Sequence, residues 1–168
     1  MGLGRVIMAS ITFKGIDAYI GQLKKLQNKS DEVIGRAVYD GAAVVADAIR
    51  KEIDAIPIVQ NQRGTPEHPI DGVTRTQKKG LQDGFGISPV QNDRGFINVK
   101  LGFAGYNKTK TKKYPQGQPN ALIARAVNSG TSFRKKRRFV DKAVTASRVK
   151  AENAMGKSLD DNIEKIMK

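Results

Sequence analysis

The sequence predicts an α+β fold. A long N-terminal helix and a C-terminal helix pack on a small antiparallel sheet, with long polar and basic loops between them. Three observations predict it. Apolar residues recur at helical spacing between Val33 and Ile56, and again from Phe139 to Ile166. Between these stripes, Ile97, Val99, Leu101 and Phe103 alternate with Phe96, Asn98, Lys100 and Gly102. The length of 168 residues fits one domain, placed at 11–168, with residues 1–10 as a loose arm.

The elements follow in order. Ile11-Thr12-Phe13 has the alternation of a short strand, and Gly15 interrupts it. Asp17 offers an N-cap, followed by Ile20, Leu23 and Leu26 at helical spacing. Asn28 to Ser30 reads as a break, with Ser30 as a second N-cap. The helix after it carries Val33/Ile34, Ala37/Val38, Gly41, Val44/Val45, Ala48/Ile49, Ile53 and Ile56 on one stripe, and Pro57 stops it. Residues 57–80 hold three prolines and many polar groups, which predicts a long loop.

A strand hairpin is expected at about 81–90 and 95–104, turning through Gln91-Asn92-Asp93-Arg94-Gly95. A basic loop follows at 105–119. Asn120 to Asn128 reads as a short helix with Asn120 as cap and Gly130 as terminator. A second basic cluster precedes the last helix, which runs from about Phe139 past Gly156 to Ile166.

Composition excludes several chemistries. The absence of cysteine removes disulfides, zinc fingers, iron–sulfur clusters and thiol nucleophiles. One histidine, His68, leaves a single acid–imidazole grouping with Glu67 and Asp71. That set lacks the second strong ligand a metal site needs, and a solvated loop histidine is the expectation. The third function considered, a hydrolase using Glu67 and His68, has no other support in the sequence. No phosphate-cradling Gly-x-x-x-x-Gly-Lys-Ser/Thr loop and no Gly-x-Ser-x-Gly elbow occur. No cofactor, metal or catalytic residue is expected, and no run is apolar enough for a membrane helix.

The net charge of +14 is uneven. Residues 1–104 carry +3, residues 105–142 carry +10 and residues 143–168 carry +1. The excess lies in two clusters: Lys108, Lys110, Lys112, Lys113, and then Arg134, Lys135, Lys136, Arg137, Arg138. Tyr106, Tyr114 and Phe133 lie beside them. Such a window suits sequence-independent contact with nucleic acid, with an acidic protein surface and plain solubility as alternatives.

The order of elements resembles the tail-completion (neck) proteins of long-tailed double-stranded DNA phages over about residues 11–167. It opens with Phe13-Lys14-Gly15-Ile16-Asp17, then Leu23 and Leu26, then the Ala/Val-rich helix ended by proline. A Pro-rich loop leads to Thr74-Arg75-Thr76, Leu81 and the hairpin. Pro119-Asn120-Ala121-Leu122-Ile123-Ala124 closing on Gly130-Thr131-Ser132 is similar to the family's Asn-Ala-Leu-Ile-Ala stretch closing on Gly-Thr-Ser. Arg138-Phe139-Val140-Asp141-Lys142-Ala143 stands where the family has a Pro-Phe-Leu-x-Pro-Ala segment. Arg138 and Lys142 replace its prolines, and Asn128 stands where an acid is common.

The resemblance implies a virion structural protein, not an enzyme. Its copies would form a ring, usually of six, joining the head-closure (stopper) complex to the tail terminator or tail tube. Its place would be the head–tail junction of the virion, reached through assembly in the host cytoplasm, with genomic DNA passing through the lumen and no membrane partner. The family pattern does not require so basic a stretch at Arg134–Arg138, so no role there is carried over. The alternative function is a small basic, sequence-independent nucleic-acid-binding module.

Overall fold

The computed structural model describes residues 16–60 and 64–168. The expected arm at 1–10 and strand at 11–13 lie outside them. The described chain runs α1 (Ile16–Asp54), α2 (Arg75–Gly84), β1 (Phe85–Ile87), β2 (Gln91–Asp93), β3 (Phe96–Asn98), β4 (Leu101–Phe103), α3 (Asn120–Ser129) and α4 (Phe139–Met167). The α+β class expected from the sequence is the one observed, with long helices at both ends and short antiparallel strands between them.

α1 spans 39 residues, about 58 Å at 1.5 Å per residue. α4 lies antiparallel along it: Gln22 Nε2 donates to the Met167 carbonyl at 2.5 Å, and Ser158 Oγ bonds Asp40 Oδ2 at 2.6 Å. Small residues let the backbones approach. A Cβ on Gly41 would run into the Met155 side chain and lie 3.2 Å from the Ala151 carbonyl oxygen. Ala37, Ala143, Ser147 and Ala151 are buried along the same seam. Ser147 Oγ returns its hydrogen bond to the Ala143 carbonyl at 2.7 Å, so no donor is stranded there.

The expected break at Asn28–Ser30 does not occur. Ser30 Oγ donates back to Gln27 O at 3.0 Å inside a continuous helix. The propensity cost of an Asn-Lys-Ser stretch is a few tenths of a kcal/mol per residue. Contacts with α4 on both sides of it outweigh that. At the other end, Lys78 Nζ donates to the Asp54 and Ile56 carbonyls at 2.6 and 2.9 Å, covering oxygens freed beyond the last turn.

The expected loop at 57–80 and strand from Leu81 are also corrected: residues 75–84 are helical. Thr74 and Gln77 form a capping box, with Gln77 N donating to Thr74 Oγ1 at 2.9 Å and Thr74 N to Gln77 Oε1 at 3.2 Å. Leu81 thereby becomes a fully buried helical residue. The hairpin pairs as expected but is shorter and broken in two. β1 meets β4 as Phe85↔Phe103, Gly86↔Gly102 and Ile87↔Leu101. β2 meets β3 as Gln91↔Asn98, Asn92↔Ile97 and Asp93↔Phe96. Gln91–Asp93, expected in the turn, are strand residues, and the turn narrows to Arg94 (φ 56°) and Gly95 (φ 91°). Two left-handed residues are what a tight hairpin of right-twisted strands requires.

α3 begins where expected, but its N-cap is Pro119 rather than Asn120. The buried Asn120 side chain instead donates from Nδ2 to Ala104 O at 2.9 Å and fits against Gly80 and Gly84 of α2. Gly130 (φ 76°) ends α3 as the sequence indicates. Asn128 Oδ1 accepts the Val140 amide at 3.0 Å, so α3 caps the start of α4.

A Gly80→Ala variant separates propensity from packing. Propensity alone favours alanine by about 1 kcal/mol. A Cβ there would lie 2.5 Å from Asn107 Cβ and run into Asn120 Oδ1. The expected result is a net loss of about 1–3 kcal/mol in urea unfolding. A gain in stability would show that the Asn120 seat is loose.

The core joins Ile49, Ile53 and Ile56 of α1 and its C-terminal end with Val73, Leu81, Phe85, Ile123, Val127 and Phe139. Three rings order it: Phe85 and Phe103 lie 5.1 Å apart, and Phe103 meets Phe139 edge-on at 6.1 Å.

Candidate functional site

The two basic clusters, 21 positions apart in the chain between Lys113 and Arg134, are linked through one side chain, Gln77. Its Nε2 donates to Gln118 Oε1 at 2.8 Å, at the end of the first basic loop. Its Oε1 receives Arg134 Nη2 at 3.5 Å, at the start of the second. Gln77 is itself buried and fixed by the capping box. One residue of α2 therefore sets the position of both loops.

The first loop is internally bonded rather than slack. Asn107 N donates to Gln118 O at 2.9 Å and Gln118 N to Thr109 O at 3.0 Å. Thr111 and Tyr114 exchange backbone bonds at 3.1 and 3.0 Å, turning the chain at Lys112-Lys113. Gly117 (φ 130°) passes so close to the Asn107 carbonyl oxygen that no Cβ fits. Lys108, Lys110, Lys112 and Lys113 are all exposed.

The second cluster divides into two kinds of residue. Arg134 is half-buried and donates to the Gly72 carbonyl as well as reaching Gln77. Burial draws its guanidinium below the usual arginine range, although a guanidinium stays charged in proteins. Arg137, also half-buried, pairs with Asp71 at 2.5 Å. Backbone bonds tie the same strip down: Ile70 N to Phe133 O at 3.0 Å and Lys135 N to Ile70 O at 2.9 Å. Arg134 and Arg137 thus hold the 64–74 segment to the chain entering α4. Lys135, Lys136 and Arg138 are exposed. Arg138 adopts a left-handed conformation (φ 51°, ψ 35°) at the N-cap of α4.

The structure adds cations that sequence reasoning missed. Arg75 and Lys79 of α2 share a cavity with Tyr106 and Lys108. The Thr74-x-x-Gln77 spacing was the available signal, because it predicts a helix start and so a face for these two residues. Lys79 also pairs with Asp83 at 3.0 Å. Tyr106 is 70 % exposed and Phe133 is 53 % exposed, so two of the three aromatic neighbours of the clusters reach well into solvent, and Tyr114 is half-buried. Glu67 and His68 are exposed, and among the described residues no group of three His, Cys, Asp or Glu is placed to hold a metal ion. No helix among the described residues is long and apolar enough to cross a membrane.

Comparison of the chain with protein-family models, with curated proteins and with solved structures finds no match.

Proposed function

We propose that this chain is a structural component of the neck of a long-tailed double-stranded DNA phage, one copy of a ring joining the head-closure complex to the tail terminator or tail tube. The order of elements in the sequence supplies the resemblance. The observation that carries the reading physically is the apolar surface left uncovered away from the core. Tyr19, Ile20 and Leu23 are exposed at the start of α1, as are Ile34 and Tyr39 further along it. Phe96, beside the β2–β3 turn, is 77 % exposed. Large apolar side chains on a rigid helix pair and a hairpin suit contact with neighbouring copies. The bonded basic loops provide a charged face for an acidic surface or for DNA.

The test is assembly. Purified protein, alone and with stopper and terminator rings, is examined by native mass spectrometry and negative-stain imaging. Rings are expected, and Leu23→Asp with Phe96→Asp is expected to abolish them while leaving monomer melting within a few degrees, because both sites are exposed. Protein that never associates, and that mass spectrometry does not find in virions, ends the reading.

A further inference from the structure

We infer that the first basic loop and α2 form a binding site for an unpaired nucleotide of a single-stranded nucleic acid, with Tyr106 as its stacking platform. This goes beyond the neck reading and does not depend on it.

Tyr106 lines two cavities. One, of about 340 Å³, is also lined by Arg75 and Thr76 from the first turn of α2, with Lys79, Asn107 and Lys108. Its cations outnumber its single carboxylate, Asp83, which Lys79 already pairs. Two buried side chains also line it, Asn107 and Asn120; the Asn107 Nδ2 donor and the Asn120 Oδ1 acceptor have no hydrogen-bond partner among the described residues. The three cations suit a phosphate, which brings negative charge.

The other, of about 440 Å³, is also lined by Lys113, Tyr114, Pro115, Gln116 and Gly117. Lys113 Nζ lies over the Tyr114 ring, 5.6 Å from its centroid. Tyr106 also lines it and is largely exposed, so its ring is available to stack. The cavity has room for a planar base, and the Gln116 amide offers a donor and an acceptor to a base edge. The phosphate and base of one nucleotide would then occupy the two cavities that share Tyr106.

Aromatic stacking separates this occupant from an acidic protein. A carboxylate-rich surface would use the lysines and has no use for the exposed Tyr106 ring. It also separates single strands from duplex, whose bases are already stacked and whose phosphates alone would be available. The loop is pre-formed by its own backbone bonds, so little ordering is needed on binding.

The experiment is fluorescence anisotropy with a labelled 20-mer DNA, single-stranded or annealed to its complement, between 50 and 200 mM salt. The single strand is expected to bind more tightly. Tyr106→Ala should weaken it about tenfold, leave duplex binding unchanged and be rescued by Tyr106→Phe. Arg75→Gln and Lys108→Gln should each flatten the log–log salt slope by about 0.7. Equal affinity for duplex, or a Tyr106→Ala protein that binds the single strand like the parent, overturns the inference. So does displacement by polyglutamate that Tyr106→Ala does not alter, which would assign the surface to an acidic protein. Failure of the single strand to bind also overturns it, and ring assembly, measured separately, is unaffected by any of these outcomes.

Discussion

Phe139→Ala is expected to lower stability by about 3–5 kcal/mol, the largest effect of any single truncation considered. Phe139 is 1 % exposed and is the first residue of α4. Its ring meets Phe103 edge-on, and Phe103 leans on Phe85, so one side chain ties α4 to β4 and β1. Removing it leaves a cavity where two layers meet, and the Arg138 turn immediately before it loses its anchor. The measurement is urea unfolding by circular dichroism, with the midpoint falling and the slope unchanged. A loss below about 1.5 kcal/mol would mean that the layers close over the gap.

Arg134→Ala comes second, with an expected loss of about 2–3 kcal/mol. Its guanidinium donates to the Gly72 carbonyl and reaches Gln77, which also holds Gln118. Gly72 is buried, so removing the arginine leaves a buried acceptor unmet, at a cost of about 1–3 kcal/mol, and loosens the joint between the basic loops. Lys136→Ala, a few residues away and exposed, should change stability by less than about 0.5 kcal/mol. Burial draws the Arg134 pKa down, but the group remains charged through neutral pH, so its contribution should be flat from pH 5 to 9. Equal effects from Arg134→Ala and Lys136→Ala would refute the division of the cluster into anchoring and contacting residues.

Parts of the fold were legible because local and tertiary preferences agree. The stripe from Val33 to Ile56 serves both helix formation and the core, and Gly130 and Pro57 punctuate where they stand. The residues at 97–103 alternate, and the antiparallel hairpin they imply forms, although its pairs include Gln91–Asp93, expected in the turn. Asn28–Ser30 was misread because helix propensity is weak and α4 binds the helix on both sides of it. Residues 75–84 were misread because the prolines and polar groups of 57–80 indicate a loop and the alternation at Phe85 and Ile87 extends a strand back to Leu81. Gly80 and Gly84 are glycine where the Asn120 side chain is seated.

The candidate site was legible only as charge. The nine basic residues are plain in the chain, and seven of them are exposed as a contact surface requires. That Arg134 and Arg137 are turned inward onto Gly72 and Asp71 depends on residues more than sixty positions away.

By itself, then, the sequence determined the α+β class, the two long helices, the antiparallel hairpin and the location of the positive charge. Periodicity, turn chemistry and composition are local properties, and each is written in a few consecutive residues. The tertiary structure alone decided that α1 is continuous, that α2 exists, and which cations are anchors and which are free. It also brought Arg75 and Lys79 to Tyr106. Those outcomes rest on hydrogen bonds and steric fit between distant segments, where burial turns a side chain's surroundings into the factor that sets its role.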